Sequence, residues 1–425
     1  MRRIGGLLLL LLCCAAPAHA GELRAGVGRA DITPPVGTPL GGYAARKGGP
    51  STGVHDPIQA KALVLDDGAT RLAIITSDLV GTNPEMVRRV AETAGFPQDH
   101  LMVCASHTHS GPGAYGKGLF AQIALGSFQQ TVFDHLTQGM VQALKQAVAS
   151  LQPAKLAIGE SELPQFMRNR RKARVKDPAL WLLRVDTRDG KPLAALVDLT
   201  AHGTVLEDAN MELSGDWMGY TQRFLEKEVP GLTALYANGA EGDISPNIPD
   251  NSSTFEGAQA HGETGGKAAL ELYRTLKPAA EVTLASKTAP LELPASLKAS
   301  LIGAGKTTTL QYFAINDALL MAVPGEMITQ LGLALKAHAR RQGHAHPVII
   351  GLANDHLGYL LTRAEMKRGG YETTVSFFGD DFGEELTLAM ARLVGGEIEP
   401  VKEAISAPPA REGRKPEAQR EGQER

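Results

Sequence analysis

The distribution of hydrophobic and polar positions along the chain predicts alternating strands and helices. Apolar runs at residues 61–65 and 72–76 flank Asp66-Asp-Gly68, and runs at 182–185 and 193–199 flank Arg188-Asp-Gly190, so each pair predicts a β-hairpin. Asn83 and Pro84 are suited to open a helix that Gly95 closes, and a helical pattern covers residues 327–341. Strands and helices interleaved in this way predict an α/β fold built in layers.

Several predicted strands end in a small or glycine-rich turn that carries a residue able to bind a metal ion or take part in catalysis. These residues are His107, His202, Asp243, Glu326 and Tyr359. Because ligands gather beyond the strand ends of open α/β sheets, the turns are expected to converge although they lie far apart in sequence.

The clearest of these turns is His107-Thr-His-Ser-Gly-Pro-Gly113, which follows the apolar run that starts at Leu101. Alternation along a strand places His107 and His109 on one face and Thr108 on the other. A His-X-His pair alone is equally typical of surface histidines near a loop.

Two imidazoles and one carboxylate, with a position left open for water, form a plausible catalytic zinc shell. Each residue also has a structural explanation. His202 could be a core histidine, Glu326 a helix N-terminal carboxylate and Tyr359 a packed aromatic.

Composition narrows the function classes. With 425 residues, 43% of them hydrophobic, the chain can form one or two domains with a large core. The net charge of −3 argues against a nucleic-acid partner, which would require a basic face.

The sequence predicts that the two ends of the chain lie outside the folded domain. Arg2 and Arg3, an apolar stretch at residues 7–12 and Ala18-His-Ala20 predict a signal peptide over residues 1–20, hence a secreted or periplasmic protein. Residues 400–425 are rich in Pro, Glu, Arg and Gln and predict a disordered charged tail, which leaves 21–399 as one folded domain. Cys104 is the single cysteine beyond the signal, so disulfides are not expected to hold the fold, and it reads as a buried strand residue.

Over roughly residues 24–396 the chain resembles the neutral/alkaline non-lysosomal ceramidases. The segments that carry the resemblance are Gly26-Val-Gly-Arg-Ala-Asp-Ile-Thr33, His107-Thr-His-Ser-Gly-Pro-Gly113, Asn169-Arg170, His202-Gly-Thr204, Gly242-Asp-Ile-Ser-Pro-Asn247, Val323-Pro-Gly-Glu326 and Gly351-Leu-Ala-Asn354. The second and fifth are the most specific.

The resemblance implies a layered mixed-sheet catalytic domain and zinc-dependent hydrolysis of ceramide or a related N-acyl lipid to a fatty acid and sphingosine or a similar amine. It further implies a lipid partner and peripheral contact with a membrane. By resemblance the zinc ligands are His107, His202, Glu326 and Tyr359. The residues around the scissile amide would be His109, Arg170, Asp243 and Ser245.

The chain departs from the family pattern in four places. It ends in the charged tail where family enzymes carry a C-terminal β-sandwich domain. Val205-Leu-Glu-Asp-Ala-Asn210, which follows His202, replaces a more polar stretch. Arg171 follows Arg170 where the family often has a small residue. The surroundings of Tyr359 have diverged, so His356 and Tyr371 compete with it for the fourth ligand position.

Alternatives remain open from the residues. Ser245 could be the nucleophile of a serine hydrolase with His109 as base and Asp243 as orienting group, although Pro246 follows it and there is no Gly-X-Ser-X-Gly elbow. A zinc amidase acting on a non-sphingolipid N-acyl substrate, an esterase, and a binding module without catalysis are the others.

Two further patterns have simple interpretations. Residues 303–307 resemble a phosphate loop, but Ser300 stands where that motif requires glycine, so a turn between strands is predicted. An apolar cluster follows the His-Thr-His turn and could line an acyl groove, but it is more typical of core packing. Its members are Leu119, Phe120, Ile123 and Leu125.

Overall fold

The structure is a computed structural model. It describes residues 21–171, 173, 175–249, 252–301 and 305–398. The predicted signal segment at 1–20 and the predicted tail at 400–425 lie outside these residues, as do residues 303 and 304 of the phosphate-loop look-alike.

Strands occur along the whole described chain. In chain order they are β1 (Gly21–Glu22), β2 (Arg24–Asp31), β3 (Gly53–Val54), β4 (Gln59–Asp66), β5 (Arg71–Ser77), β6 (Leu101–Ala105), β7 (Gln152–Glu162), β8 (Met167–Asn169), β9 (Ala179–Thr187), β10 (Pro192–Leu199), β11 (Glu212–Leu213), β12 (Thr233–Ala237), β13 (Ile244–Pro246), β14 (Glu281–Val282), β15 (Leu284–Glu292), β16 (Thr307–Ile315), β17 (Ala318–Ala322), β18 (Glu326–Met327), β19 (His346–Ile350) and β20 (Tyr359–Leu360).

The helices lie between them. They are α1 (Pro84–Ala94), α2 (Leu119–Leu125), α3 (Gln130–Ala149), α4 (Asp216–Glu228), α5 (Phe255–Thr275), α6 (Leu297–Leu301), α7 (Thr329–Arg341), α8 (Arg363–Arg368), α9 (Tyr371–Thr374) and α10 (Phe382–Val394), with short 3-10 turns at Ala44–Arg46 and Gln98–His100.

Two mixed sheets stack face to face. The larger has the order β12-β10-β9-β7-β2-β4-β5-β6, and the smaller β15-β16-β17-β19. Strands β5 and β6, β10 and β12, and β17 and β19 run parallel, whereas the other neighbours within these two sheets are antiparallel. The predicted layered α/β class with a mixed sheet is therefore confirmed.

The layers follow from strands that are apolar on both faces. In β4, Ala62 and Val64 pack under α1 and α3, whereas Leu63 and Leu65 pack toward the smaller sheet. Helices α4 and α5 cover the same outer face nearer β10 and β12, and α7 and α10 cover the far face of the smaller sheet. Strands buried on both faces read as continuous apolar runs, which explains the sequence pattern.

The local predictions are largely confirmed. β4 pairs with β5 and β9 pairs with β10 as antiparallel hairpins. Asn83 caps α1 by accepting a hydrogen bond from the Met86 N–H, and Gly95 ends that helix with φ 66°. Cys104 is buried in β6, and burial raises its thiol pKa to about 12, as expected of a structural cysteine.

Three local predictions are wrong. β6 ends at Ala105, before the histidines. The helix predicted from residue 327 begins at Thr329, because Glu326–Met327 pairs with β20 as a short parallel strand. Leu119 and Ile123 of α2 are 54% and 49% exposed, so core packing does not account for them, whereas Leu125 is buried.

Across the described ranges, no helix combines the length and the apolar character needed to cross a membrane.

Candidate metal centre and active site

The turns that follow β6, β10, β12, β17 and β19 meet at one edge of the stacked sheets. An isolated bridge joins Thr108 to Gly203 and therefore ties the first histidine turn to the second. The Gly351 N–H donates to the Asn238 carbonyl at 2.8 Å, which ties the turn after β19 to the turn after β12. The convergence expected from the sequence is thus confirmed.

His107 and His202 are held in one tautomer by backbone carbonyls. His107 Nδ1 lies 2.6 Å from the Val80 carbonyl oxygen, and His202 Nδ1 lies 2.9 Å from that of Ile244. A carbonyl accepts a hydrogen bond only from Nδ1–H, so in its neutral form each ring would present an unprotonated Nε2 to the interior of the site. Both side chains are buried, and burial is the main cause that lowers the pKa of His202 to about 4.

Glu326 lies between these two imidazoles. Its Oε2 is 3.1 Å from His202 Nε2 and 3.4 Å from His107 Nε2, and its Oε1 is 3.0 Å from His356 Nε2. Burial alone would raise the pKa of this carboxyl group, but the electrostatic effect of His107 and hydrogen bonds donated by protonated ring nitrogens of His107, His202 and His356 hold it well below its ordinary value. The carboxylate is therefore ionised and faces inward.

Tyr359 is the aromatic residue that reaches this cluster. The β18–β20 register places it opposite Glu326, and its hydroxyl oxygen is 3.1 Å from His202 Nε2. The two other candidates for the fourth ligand position lie farther from the two histidines. His356 contacts Glu326 Oε1, the oxygen that does not face His107 and His202, and the Tyr371 ring is 6.0 Å from the Tyr359 ring.

The spacing of these donor atoms matches a zinc shell. A tetrahedral zinc ion with bonds of about 2.0–2.1 Å keeps its ligand atoms about 3.3–3.4 Å apart. The observed separations among His107 Nε2, His202 Nε2 and Glu326 Oε2 include 3.1 and 3.4 Å. Nitrogen and carboxylate oxygen are also the ligand types that zinc prefers. The residues therefore fit the metal that the resemblance implies.

His109 belongs to the same cluster but is held differently. Its Nε2 lies 3.3 Å from His107 Nε2, and the ligand atoms of His107, His109 and His202 lie within 4.8 Å of one another. Its Nδ1 is buried and has no hydrogen-bond partner among the residues that the structure describes. Burial is also the main cause that holds its pKa well below 6.5, so the ring is neutral. It lacks the carbonyl contact that orients the rings of His107 and His202.

The loop before β3 shapes the pocket around His109. Arg46 donates to the His109 carbonyl oxygen, and the Tyr43 ring lies 4.7 Å from the imidazole. Gly42 has φ 97°, and a Cβ there would lie 2.6 Å from the His109 ring, so both its backbone and its contact require glycine. His107 itself has φ 68°, a left-handed conformation that is costly for a residue with a Cβ. A turn of this kind, and not strand alternation, brings His107 and His109 together.

Arg170 closes the opposite side. Its Nη2 donates to the Tyr359 hydroxyl and to the Gly242 carbonyl, each at 2.9 Å. Its Nε donates to Glu372 Oε1 at 2.8 Å. The structure thus brings a fixed cation to the hydroxyl group of Tyr359.

Asp243 and Ser245 lie beside the cluster with other partners. Asp243 Oδ1 accepts from the backbone and hydroxyl of Thr329, each at 2.8 Å, and Oδ2 accepts from Asn169 Nδ2 at 2.6 Å. Burial raises the pKa of Asp243. Ser245 is buried in β13, opposite Arg168 of β8.

The sequence analysis missed three residues near the site. They are Arg46, Glu241 and Glu372. Glu241 is fully buried, and neither carboxyl oxygen has a partner within the described chain. Burial, followed by the charge of Glu326, raises its pKa well above the ordinary value, so it is a neutral acid. Its place in the glycine-rich turn after β12 was the one available hint.

Helix α2 is attached to the loop that contacts His109. The Gly42 N–H donates to the Ala124 carbonyl at 3.0 Å, so α2 is attached to the glycine that touches His109. The exposed side chains of Leu119 and Ile123 are carried by this helix.

Comparison with known proteins places this architecture in a family. The family described as neutral/alkaline non-lysosomal ceramidase, N-terminal, matches residues 23–269. The chain belongs to this family.

Similar proteins agree with this membership. The neutral ceramidase of Pseudomonas aeruginosa is 29% identical over 258 residues, which cover 55% of this chain and 38% of that protein. The neutral ceramidase of Mycobacterium tuberculosis is 27% identical over 231 residues, 47% of this chain and 36% of that protein. The matched region is therefore well under half the length of these relatives.

Solved structures extend the likeness of the fold beyond the matched sequence. The crystal structure of the Pseudomonas aeruginosa enzyme aligns with a TM-score of 0.77 at 22% identity over 88% of this chain and 74% of that chain. A structure described as ceramidase complexed with C2 aligns with a TM-score of 0.78 at 21% identity, over 90% of this chain and 77% of that chain.

Proposed function

We propose that this protein is a zinc-dependent amidohydrolase that cleaves the amide bond of ceramide or a related N-acyl lipid. The products would be a fatty acid and sphingosine or a similar amine. The observation that carries the proposal is the buried convergence of His107, His202 and Glu326, with donor atoms 3.1 to 3.4 Å apart. Relatives named neutral ceramidases supply the substrate class.

His107, His202 and Glu326 would hold the metal, with Tyr359 at the fourth protein position. When bound there, zinc supplies a Lewis acid that polarises the amide carbonyl and lowers the pKa of water. The carbonyl contacts of the two Nδ1 atoms fix the rings before the metal arrives, which limits reorganisation on binding.

His109 is the residue we assign to proton transfer. Its imidazole is half-buried and neutral, and it lacks the backbone contact that characterises the two proposed ligand histidines. It can therefore accept a proton from the attacking water and deliver it to the leaving amine.

Arg170 and Tyr359 would stabilise the charge that develops on the substrate. The guanidinium already donates to the Tyr359 hydroxyl, so both groups can donate hydrogen bonds to an oxygen that becomes negative. Arg170 would also orient the polar head of the substrate.

We assign Asp243 to holding the site together and not to proton transfer. Both of its oxygens are occupied, by Thr329 at the start of α7 and by Asn169 next to Arg170. Ser245 has no proposed nucleophilic role. A serine mechanism requires a carboxylate that orients the base, whereas His109 Nδ1 has no partner among the described side chains.

A lipid substrate agrees with the surface next to His109. Leu119 and Ile123 are exposed on α2, where they can contact an acyl chain or a lipid surface. The predicted signal segment is consistent with action outside the cytoplasm, either in secreted form or in a periplasm.

The test is to incubate purified protein with N-acyl lipids and short N-acyl amides, with and without chelator, and to identify products by mass spectrometry. We expect fatty acid and free amine from the lipids, and loss of activity with chelator. Trapping of an acyl group on Ser245 would overturn the mechanism in favour of the serine hydrolase.

A further inference from the structure

The strap, defined here as residues 363–374, lies against the two arginines that follow Asn169. It consists of α8, Gly369, Gly370 and α9. Both helices are short, and the two glycines between them have φ 76° and 104°. Helices of this length are not stable on their own, so the position of the strap depends on contacts with the rest of the chain.

Arg171 supplies four of those contacts, and Arg363 at the start of the strap supplies others to Asp381 and Glu384. Its Nε donates to Glu365 Oε2 at 2.7 Å, and its Nη2 donates to the Glu365 and Gly369 carbonyls at 3.0 and 2.8 Å. Its Nη1 donates to Glu372 Oε2. The side chains of Arg171 and Glu372 are each 6% exposed, so this ion pair is shielded from water.

Glu372 connects the strap to the site. One of its oxygens accepts from Arg171, and the other accepts from Arg170 Nε at 2.8 Å. Arg170 in turn donates to the Tyr359 hydroxyl at 2.9 Å. A continuous series of hydrogen bonds therefore runs from Arg171 through Glu372 and Arg170 to Tyr359.

We infer that Arg171 is a positioning residue, which holds the strap so that Glu372 fixes the Arg170 guanidinium against Tyr359. The inference rests on the proposed function, in which Arg170 and Tyr359 act on the substrate. Arg171 has no hydrogen bond to Tyr359 or to the histidines, so it acts through the strap and Glu372. Its own backbone is fixed, because its N–H donates to Asn169 Oδ1 at 3.0 Å.

Loss of Arg171 leaves two shielded carboxylates with fewer partners. Glu365 and Glu372 have side chains 12% and 6% exposed. Glu365 keeps Arg368 at 3.4 Å and Glu372 keeps Arg170 at 2.8 Å, but the oxygen of each that accepted from Arg171 loses its hydrogen bond, which is costly in such surroundings. Movement of the strap toward water relieves that cost, and the Gly369–Gly370 junction permits it. Glu372 then no longer restrains Arg170, whose side chain can leave the Tyr359 hydroxyl. A displacement of about 1 Å in an active site can cost about 10²-fold in rate.

The experiment uses Arg171→Ala, Arg171→Lys, Glu372→Gln and the Arg171→Ala/Glu372→Gln double variant of the full chain. Arg340→Ala is the matched control, because it removes another arginine–glutamate ion pair, to Glu160, away from the strap. Three quantities are measured: zinc content, kcat and KM on an N-acyl lipid, and hydrogen–deuterium exchange at residues 363–374.

We expect Arg171→Ala to lower kcat by about 10-fold to 100-fold with unchanged zinc content and faster exchange in the strap. Arg171→Lys should recover only part of the loss, because an ammonium group cannot reach both carboxylates with the geometry of a guanidinium. The double variant should be little worse than Glu372→Gln, since both changes break one series of contacts. Arg340→Ala should resemble the wild type.

A loosened strap with wild-type kcat would overturn the inference, as would loss of zinc in Arg171→Ala. If the wild type hydrolyses no amide even when loaded with zinc, the proposed function fails. The exchange data then still judge the inference, and unchanged exchange at 363–374 in Arg171→Ala would overturn it separately.

Discussion

The two halves of the candidate site are held in place by different kinds of contact. In the histidine half, His107 and His202 follow strands of the large sheet, and each ring is fixed by a backbone carbonyl. In the arginine half, Arg170 and Tyr359 are fixed by side chains, through Glu372 and the strap. Backbone contacts survive most substitutions, whereas side-chain contacts are lost with a single one.

This difference indicates that the two halves have different roles. The rigid half suits metal binding, which requires ligands at fixed separations. The other half suits contact with a substrate, which must enter and leave. Substitution of His107 or His202 should therefore remove the metal, whereas substitution of Arg170, which is not a proposed ligand, should remove activity alone.

The largest effect is expected for His202→Ala. This variant removes a ligand from the proposed shell and leaves Glu326 Oε2 without its nearest neighbour at 3.1 Å. We expect zinc content to fall from one per chain to near zero, measured by elemental analysis of protein dialysed against metal-free buffer. Full zinc occupancy would remove His202 from the shell and erase the distinction between the halves.

The next effect is expected for Arg170→Ala. The loss of its hydrogen bond to Tyr359 and of its charge should lower turnover by about 10²-fold or more. Zinc content should stay at the wild-type value, because no proposed ligand is removed. The control is His109→Ala, which should show the same pattern. Loss of zinc along with activity in either variant would mean that the substituted residue helps to bind the metal.

A smaller effect is expected for Gly42→Ala. A Cβ would lie 2.6 Å from the His109 ring, on a backbone with φ 97°. Gly37 is the matched control, because its φ is 100° but nothing lies within 4 Å of a Cβ there. Both variants should lose about 1–2 kcal/mol of unfolding free energy from backbone strain, measured by urea denaturation.

Activity should separate the two glycine variants. Only Gly42→Ala should lower kcat, because only its methyl group displaces His109. Equal kcat in both variants would mean that the position of His109 is unimportant for turnover.

The smallest effect is expected for Leu119→Gln and Ile123→Gln. Both side chains are exposed, so stability should change little. If α2 contacts the lipid, KM for a long-chain N-acyl substrate should rise by a few-fold, and KM for a short N-acyl amide should not change. If KM for each substrate is unchanged from the wild type, α2 does not contribute to substrate binding.

The sequence predicted the histidine half better than the arginine half. Strand ends followed by glycine-rich turns identify His107 and His202 because strand patterns and turn residues are local properties. The pairing of Glu326 with Tyr359 through β18 and β20, and the contacts of Glu372 with Arg170, are long-range and leave no periodic trace.

The errors have the same origin. His107 and His109 were expected to share a face through strand alternation. Instead β6 ends at Ala105, and the left-handed backbone conformation of His107 sets the direction of the two side chains. The four-layer stacking was not predicted either, since a strand buried on both faces does not reveal whether helices or a second sheet cover it.

The most direct test of the account is a zinc titration of metal-free wild-type protein, followed by hydrolysis of an N-acyl lipid. The account predicts that activity rises in proportion to added zinc and reaches its maximum at one zinc per chain. Full activity in the metal-free protein, or no hydrolysis at one zinc per chain, would contradict it.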